Sequence, residues 1–173
     1  SRVNSSASAE DFRRAVQFTM IRAIREDKIQ ANHQVTPDVI AFVMGYIMIR
    51  LLEKRSSIRV LDLATGTSNL LTAIMAQFKR SLHCPVQGIG VDNDDTLISI
   101  SRISTKLQRK SVALTYGDAV SGFDSPLVDL AVSDLPIGYY PLDQNTKGYL
   151  TRFQSGHSYA HYLLIEQAMR HVK

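Results

Sequence analysis

The chain has 173 residues, 45% of them hydrophobic and 21% charged, enough for one globular domain with a real core and with nothing that suggests two. A single cysteine, Cys84, excludes an internal disulfide framework and points to a reducing compartment. The formal net charge of +4 is compatible with a polyanionic partner without requiring one.

Residues 1–9 are small and polar, and disorder is expected there. Phe12, Val16, Met20 and Ile24 then recur every four residues, which places them on one face of a helix. Arg13, Arg14, Arg22, Arg25 and Lys28 on the same segment form either a basic face for nucleic acid or a merely solvated helix surface. The N-terminus lacks the apolar core of a signal peptide. The longest apolar stretch, residues 39–49, contains Gly45 and is closed by Arg50, so it is too short to span a bilayer and reads as a buried helix. The expectation is a cytoplasmic protein without a membrane partner. Thr36, Pro37 and Asp38 mark the start of that helix, with the threonine hydroxyl as cap and the proline in the first turn. It is expected to run to about residue 54.

Beyond this point strands and helices alternate. Residues 58–63 read as a short apolar strand, 69–80 as a helix and 86–92 as a second strand. A helix follows whose Leu97, Ile100, Ile103 and Leu107 are expected to face the core. Residues 111–116 read as a third strand, 127–133 as a fourth, 138–156 as a polar mobile loop and 157–172 as a final helix. Strands alternating with helices imply a parallel sheet with helices on its faces and right-handed crossovers. A doubly wound sheet has about six strands, so the fold is expected to be truncated after the fourth.

In such a sheet ligands bind beyond the carboxyl ends of the strands. The first strand ends in DLATGTSNL, residues 62–70, where Ala64 and Gly66 permit a tight turn and close approach of the backbone. A dinucleotide site calls for three glycines at fixed spacing, and only Gly66 is present, which argues for a ligand without phosphates. Asp92, at the end of the second strand, either accepts hydrogen bonds from ribose hydroxyls or belongs with Asp94 and Asp95 to the start of the next helix. Gly117 and Asp118 alone would be a turn. Their position after the second and third strands favours a site. His157 and His161 lie four apart on the expected last helix but lack a third ligand, so no metal site is assigned. Nothing marks Cys84 as a nucleophile.

Together these stretches resemble class I S-adenosylmethionine (SAM)-dependent methyltransferases from about residue 33 onward. QVTP at residues 34–37 resembles the threonine-proline segment that amino-methyltransferases place beside the methionine part of SAM. Residues 62–70 resemble the first motif in its adenine-methyltransferase form, with Ser68 at the place of the second glycine. YGDA at 116–119 resembles the third motif. DLPIGYYP at 134–141 resembles the D/N/S-P-P-Y/F/W motif of enzymes that methylate exocyclic or amide nitrogens, with Leu135 for the first proline and Ile137 for the aromatic residue. With the GHSYAHYLLIEQ segment at 156–167, the version is most similar to the YtxK-type group of bacterial proteins read as adenine-specific methyltransferases.

The resemblance implies a Rossmann-like methyltransferase fold with SAM held by Thr36, Pro37, Asp62, Ala64, Gly66, Asn69, Asp92, Asn93, Asp118 and Ala119. It implies a transfer site formed by Asp134, Leu135 and Pro136, with Tyr139 or Tyr140 taking over the stacking of the target base. The implied partner is nucleic acid, with adenine N6 of DNA favoured and RNA possible. Methylation of a protein glutamine, a catalytically silent SAM- or nucleic-acid-binding module, and a nicotinamide dehydrogenase disfavoured by the single glycine stay as alternatives. The expected division is an N-terminal helical segment, 1–33, and a SAM-binding domain, 34–173.

Overall fold

The computed structural model describes residues 7–27, 35–52 and 55–173. Residues 1–6, Lys28, Gln34, Lys54 and the expected boundary at 33/34 lie outside the described residues. Helix α1 spans Ala9–Asp27 and α2 spans Asp38–Leu51. Strand β1 (Ile58–Asp62) leads into α3 (Asn69–Leu82), and β2 (Val86–Asp92) into α4 (Asp95–Leu107). Strand β3 (Val112–Tyr116), a short β4 (Leu130–Ala131), a 3₁₀ turn (Asp143–Thr146) and α5 (Ala160–His171) complete the chain. All pairings in the sheet are parallel, in the order β3-β2-β1-β4.

Alternate residues of the strands enter two separate cores. Ile58 and Val60 pack with Leu71, Ile74, Met75 and Phe78 of α3 on one face. Leu61, Ile89 and Val91 pack with Leu163 and Leu164 of α5 on the other. The Rossmann-like layering expected from the alternation of elements is therefore present. Strand β4 is shorter than the expected 127–133. Its hydrogen bonding nonetheless reaches from Asp129, whose amide donates to the Arg59 carbonyl, to Val132, whose amide donates to the Leu61 carbonyl. No helix among the described residues is long and apolar enough to cross a membrane.

Several local expectations are corrected. Ala9 already belongs to α1, because Ser8 and Asp11 cap each other: Asp11 N donates to Ser8 Oγ and Ser8 N to Asp11 Oδ2. In α1 the buried stripe is Arg13, Gln17 and Met20, with Phe12, Val16 and Ile24 only half-buried. Helix α2 is not buried all round. Its contact with α3 runs through the small residues Ala41 and Gly45, where an added Cβ would lie 2.5 Å from Gln77 Oε1. Val39, Ile40, Phe42, Val43, Tyr46, Ile47 and Leu51 remain exposed. Nor does Thr36 cap α2, since its hydroxyl is used elsewhere.

Helix α4 turns Leu97, Ile98, Ser101, Ser104 and Thr105 inward and leaves Ile103 and Leu107 exposed. Its buried hydroxyls find partners in Ser68 Oγ, Gln108 and the Ser101 carbonyl, so a polar stripe is tolerated against the sheet. The 138–156 segment is tied to the body by Tyr149, whose hydroxyl donates to the Val120 carbonyl, and by the Glu166 carboxylate, which accepts from the Leu150 and Thr151 amides.

Candidate active site

From β1 the chain crosses to β2 on one side, while β4 joins on the other, so the order of strands reverses at the carboxyl end of β1. A cavity of about 750 Å³ opens there, within the range that encloses small ligands. Asp134, Leu135, Pro136, Tyr139 and Tyr140 line it, as do Thr36, Asp62, Ala64, Gly66, Asn69, Asp92, Asn93, Asp118 and Ala119. Pro37 is exposed and lies outside the lining.

Asp62 ends β1 almost fully buried. Its Oδ1 accepts from Ser133 Oγ at 2.7 Å and from the Ala64 amide at 3.2 Å. Burial, above all, and the neighbouring charge of Asp92 push its carboxyl up to about 7, although the hydrogen bonds oppose the shift. The sign for stability follows directly. Between about pH 4 and about pH 7 the folded state holds a proton on Asp62 that the unfolded chain has released. Without added ligand this group's contribution is therefore present at the acid end and lost as pH rises through 7. The difference in melting temperature between the parent protein and Asp62→Asn, followed across that window, is expected to shift steadily in favour of the variant as pH rises. A difference independent of pH would show that the site is not desolvated.

The turn after Asp62 is set by two left-handed residues. Gly66 has φ +52 and open space where a Cβ would sit, so the backbone can approach a ligand without a side chain intervening. Ser68 has φ 60 and is fully buried, which accounts for the glycine that the first motif ordinarily carries there. Its Oγ bonds Thr65 Oγ1 and Ser101 Oγ, and these contacts hold the residue in place.

Asp92 reaches back over this turn, with Oδ2 accepting from the Gly66 amide at 2.7 Å and Oδ1 from the Asp94 amide at 3.0 Å. Asp94 caps α4 by accepting from the Leu97 amide. Asp118 accepts from the Val120 amide, from Ser121 Oγ and from the Tyr140 hydroxyl. Tyr140 is 6% exposed, and burial, followed by the Asp118 carboxylate, pushes its phenol up from the usual range. Asn145 donates to both Ser121 Oγ and the Tyr140 hydroxyl, tying the loop after β4 to the end of β3.

The two tyrosines of the DLPIGYYP segment thus have different positions. Tyr139 is 63% exposed at the cavity rim and stacks on Tyr159, with ring centroids 4.7 Å apart. Ile137 is 87% exposed. Asp134, at the end of β4, accepts from the Thr36 hydroxyl at 2.8 Å. The residues that sequence reasoning missed are mostly short polar partners: Ser133, which donates to Asp62 and accepts from the Leu63 amide, together with Ser121 and Asn145. Ser133 sits beside Asp134 in sequence, and that adjacency was its signal. His157 lies before α5 and bonds Asp143, whereas His161 lies within it, so the two do not share a helical face.

The chemistry of the lining is one-sided. It contains five aspartates, Asp62, Asp92, Asp94, Asp118 and Asp134, and among the described residues no lysine, arginine or histidine. Such a wall repels a pyrophosphate and suits a ligand that carries positive charge and hydroxyl or amino hydrogens.

No family model matches the chain. It is 31% identical over 161 residues to the uncharacterized protein YtxK of Bacillus subtilis, covering 93% of this chain and 48% of that one. A solved structure from Listeria monocytogenes, assigned to the class I SAM-dependent methyltransferases, superposes with a TM-score of 0.92 at 39% identity, covering 97% of this chain and 52% of that one. The methyltransferase subunit of a type I restriction-modification system from Streptococcus thermophilus superposes with a TM-score of 0.79 at 16% identity, covering 100% of this chain and 38% of that one. The chain spans about half the length of the first two. The fold is the Rossmann-like fold of class I SAM-dependent methyltransferases.

Proposed function

We propose that this chain binds SAM in the cavity above β1 and β2 and directs methyl transfer to an exocyclic amino nitrogen, with adenine N6 in DNA as the first acceptor. The observation that carries the reading is one cavity lined by Asp92 after β2 and Asp134 after β4, on opposite sides of β1, with no cation in its described lining. SAM is itself a cation without phosphates, and the set of acceptors fits it. Asp92, its carboxylate oriented by the Gly66 and Asp94 amides, would accept the ribose hydroxyls. Asp118 would meet the adenine amino group, and Asp62, beside Asp92, would face positive charge. When bound, the cofactor supplies a methyl group already activated on a sulfonium.

The work left to the protein is alignment. The lone pair of an aromatic amine is delocalised, so an acceptor for each of its hydrogens turns it toward the methyl carbon. Asp134 and the Leu135 carbonyl would be those acceptors, with Pro136 restricting the backbone between them. Tyr139 takes the stacking role, because Tyr140 is committed to Asp118. The nucleic-acid acceptor is supported by the motif and by the fold shared with the restriction-modification subunit. A catalytically silent SAM-binding module is the second reading, favoured by Leu135 and Ile137 at positions where the motif has proline and an aromatic ring.

The test is a labelled-methyl assay of the full-length parent protein against DNA, RNA and protein pools, with mass analysis of the digested nucleosides. Label in DNA as N6-methyladenine is expected. Label in RNA or protein moves the acceptor, and SAM binding without transfer to any pool establishes the silent module.

A further inference from the structure

The hydroxyl of Thr36 reaches Asp134 Oδ2 across 98 residues of sequence, and among the described residues it is the only hydrogen-bond donor to that carboxylate. Thr36 is itself held from behind. Its carbonyl accepts from Asn69 Nδ2 at 3.2 Å, and Asn69 Oδ1 accepts from Arg13 Nη1 at 2.8 Å. The Arg13 side chain is 3% exposed. Its fork also takes both oxygens of Asp38 at 2.9 Å, two residues beyond Thr36, where Gln17 adds a further bond at 3.0 Å. Between them Pro37 fixes φ at −60. Glu10 also holds the guanidinium, at 2.6 and 2.9 Å, and removing any one partner would leave a buried N–H of Arg13 or Asn69 without its acceptor, so the position of Thr36 is over-determined.

We propose that Thr36 is a positioning residue for Asp134, held in place by α1 through Arg13 and Asn69. The inference rests on Asp134 being an acceptor for the substrate amine. By occupying Oδ2, the threonine restricts the side-chain rotation of Asp134 and leaves Oδ1 to meet the amine. Without it, an exposed carboxylate samples its rotamers, and transfer that depends on alignment slows. This role is separable from a cofactor contact. A group that holds SAM changes affinity for SAM, whereas a group that holds Asp134 changes turnover.

The test compares Thr36→Val, which keeps the shape and loses the hydroxyl, with Thr36→Ser, which keeps the hydroxyl, in the full-length parent protein. Three readouts are taken: SAM affinity by calorimetry, single-turnover methyl transfer to unmethylated DNA, and the carboxyl-carbon resonance of Asp134 in carbon-13-labelled protein, which reports the loss of a donor to that carboxylate. In Thr36→Val turnover is expected to fall about 10- to 100-fold. Any change in SAM affinity is smaller than the loss of turnover. The Asp134 resonance moves toward that of a carboxylate without a protein donor, and Thr36→Ser restores both turnover and resonance. Parental turnover and resonance in Thr36→Val, equal impairment by valine and serine, or a loss of SAM affinity that accounts for the whole defect would each overturn the proposal. A parent that transfers no methyl group removes the functional reading, while the Asp134 resonance still decides whether Thr36 holds Asp134.

Discussion

Asp134→Ala is expected to reduce methyl transfer by about 10²- to 10³-fold, the scale of losing one aligned hydrogen-bonding group at a reacting centre. Asp134 is an exposed side chain whose one donor among the described residues is Thr36, so its removal costs the fold at most about 1–3 kcal/mol, the cost of leaving the buried Thr36 hydroxyl without its acceptor. Affinity for SAM is expected to remain near the parental value, because Asp134 follows β4 whereas Asp92 follows β2 on the other side of β1. Asp134→Asn keeps one oxygen, whose two lone pairs must serve both Thr36 and the amine, and is expected to retain more activity than alanine. The measurement is single-turnover transfer at saturating SAM, with binding followed separately by calorimetry. Alanine activity within threefold of the parent, by the same free-energy arithmetic only about 0.6 kcal/mol, would remove Asp134 from the transfer step.

Asp92→Ala is expected to weaken SAM binding by at least about 100-fold, since hydrogen bonds from ribose hydroxyls to a carboxylate are each worth about 1.5–3 kcal/mol. The substitution also strips the Gly66 amide of its acceptor, loosening the turn that the ligand must approach. A second consequence separates site chemistry from simple unfolding. The charge of Asp92 contributes to the raised pKa of Asp62, so in Asp92→Ala the titration of Asp62 moves down toward its ordinary range. The decline in stability between about pH 4 and about pH 7 is expected to become shallower. Calorimetric titration with SAM and melting curves against pH measure the two effects. Parental SAM affinity in a folded Asp92→Ala protein would place the ribose elsewhere.

Much of this architecture was legible from residues alone. Strands β1 and β2 are buried parallel strands and therefore read as short apolar runs, and the 69–82 segment carries an apolar stripe at helical spacing. Apolarity by itself does not decide burial. Ser101, Ser104 and Thr105 are buried on α4 because their hydroxyls find partners, while most large side chains of α2 stay exposed. The spacing that extends α5 back to His157 cannot register that this side chain bonds Asp143 ahead of the helix.

The candidate site divides in the same way. Asp62, Asp92, Asp118 and Asp134 could be placed at successive strand ends from sequence because strand length and turn chemistry are local properties. What each carboxylate touches was decided by the tertiary structure. Tyr140 and Tyr139 are neighbours of the same type, yet one is buried against Asp118 and the other is exposed on Tyr159. Thr36 carries the signature of a helix cap and instead bonds a residue 98 positions away. A hydroxyl has several acceptors within its rotamers, and local sequence weighs them almost equally. Only the packing of α1, α2 and β4 around one cavity determines which of them it meets.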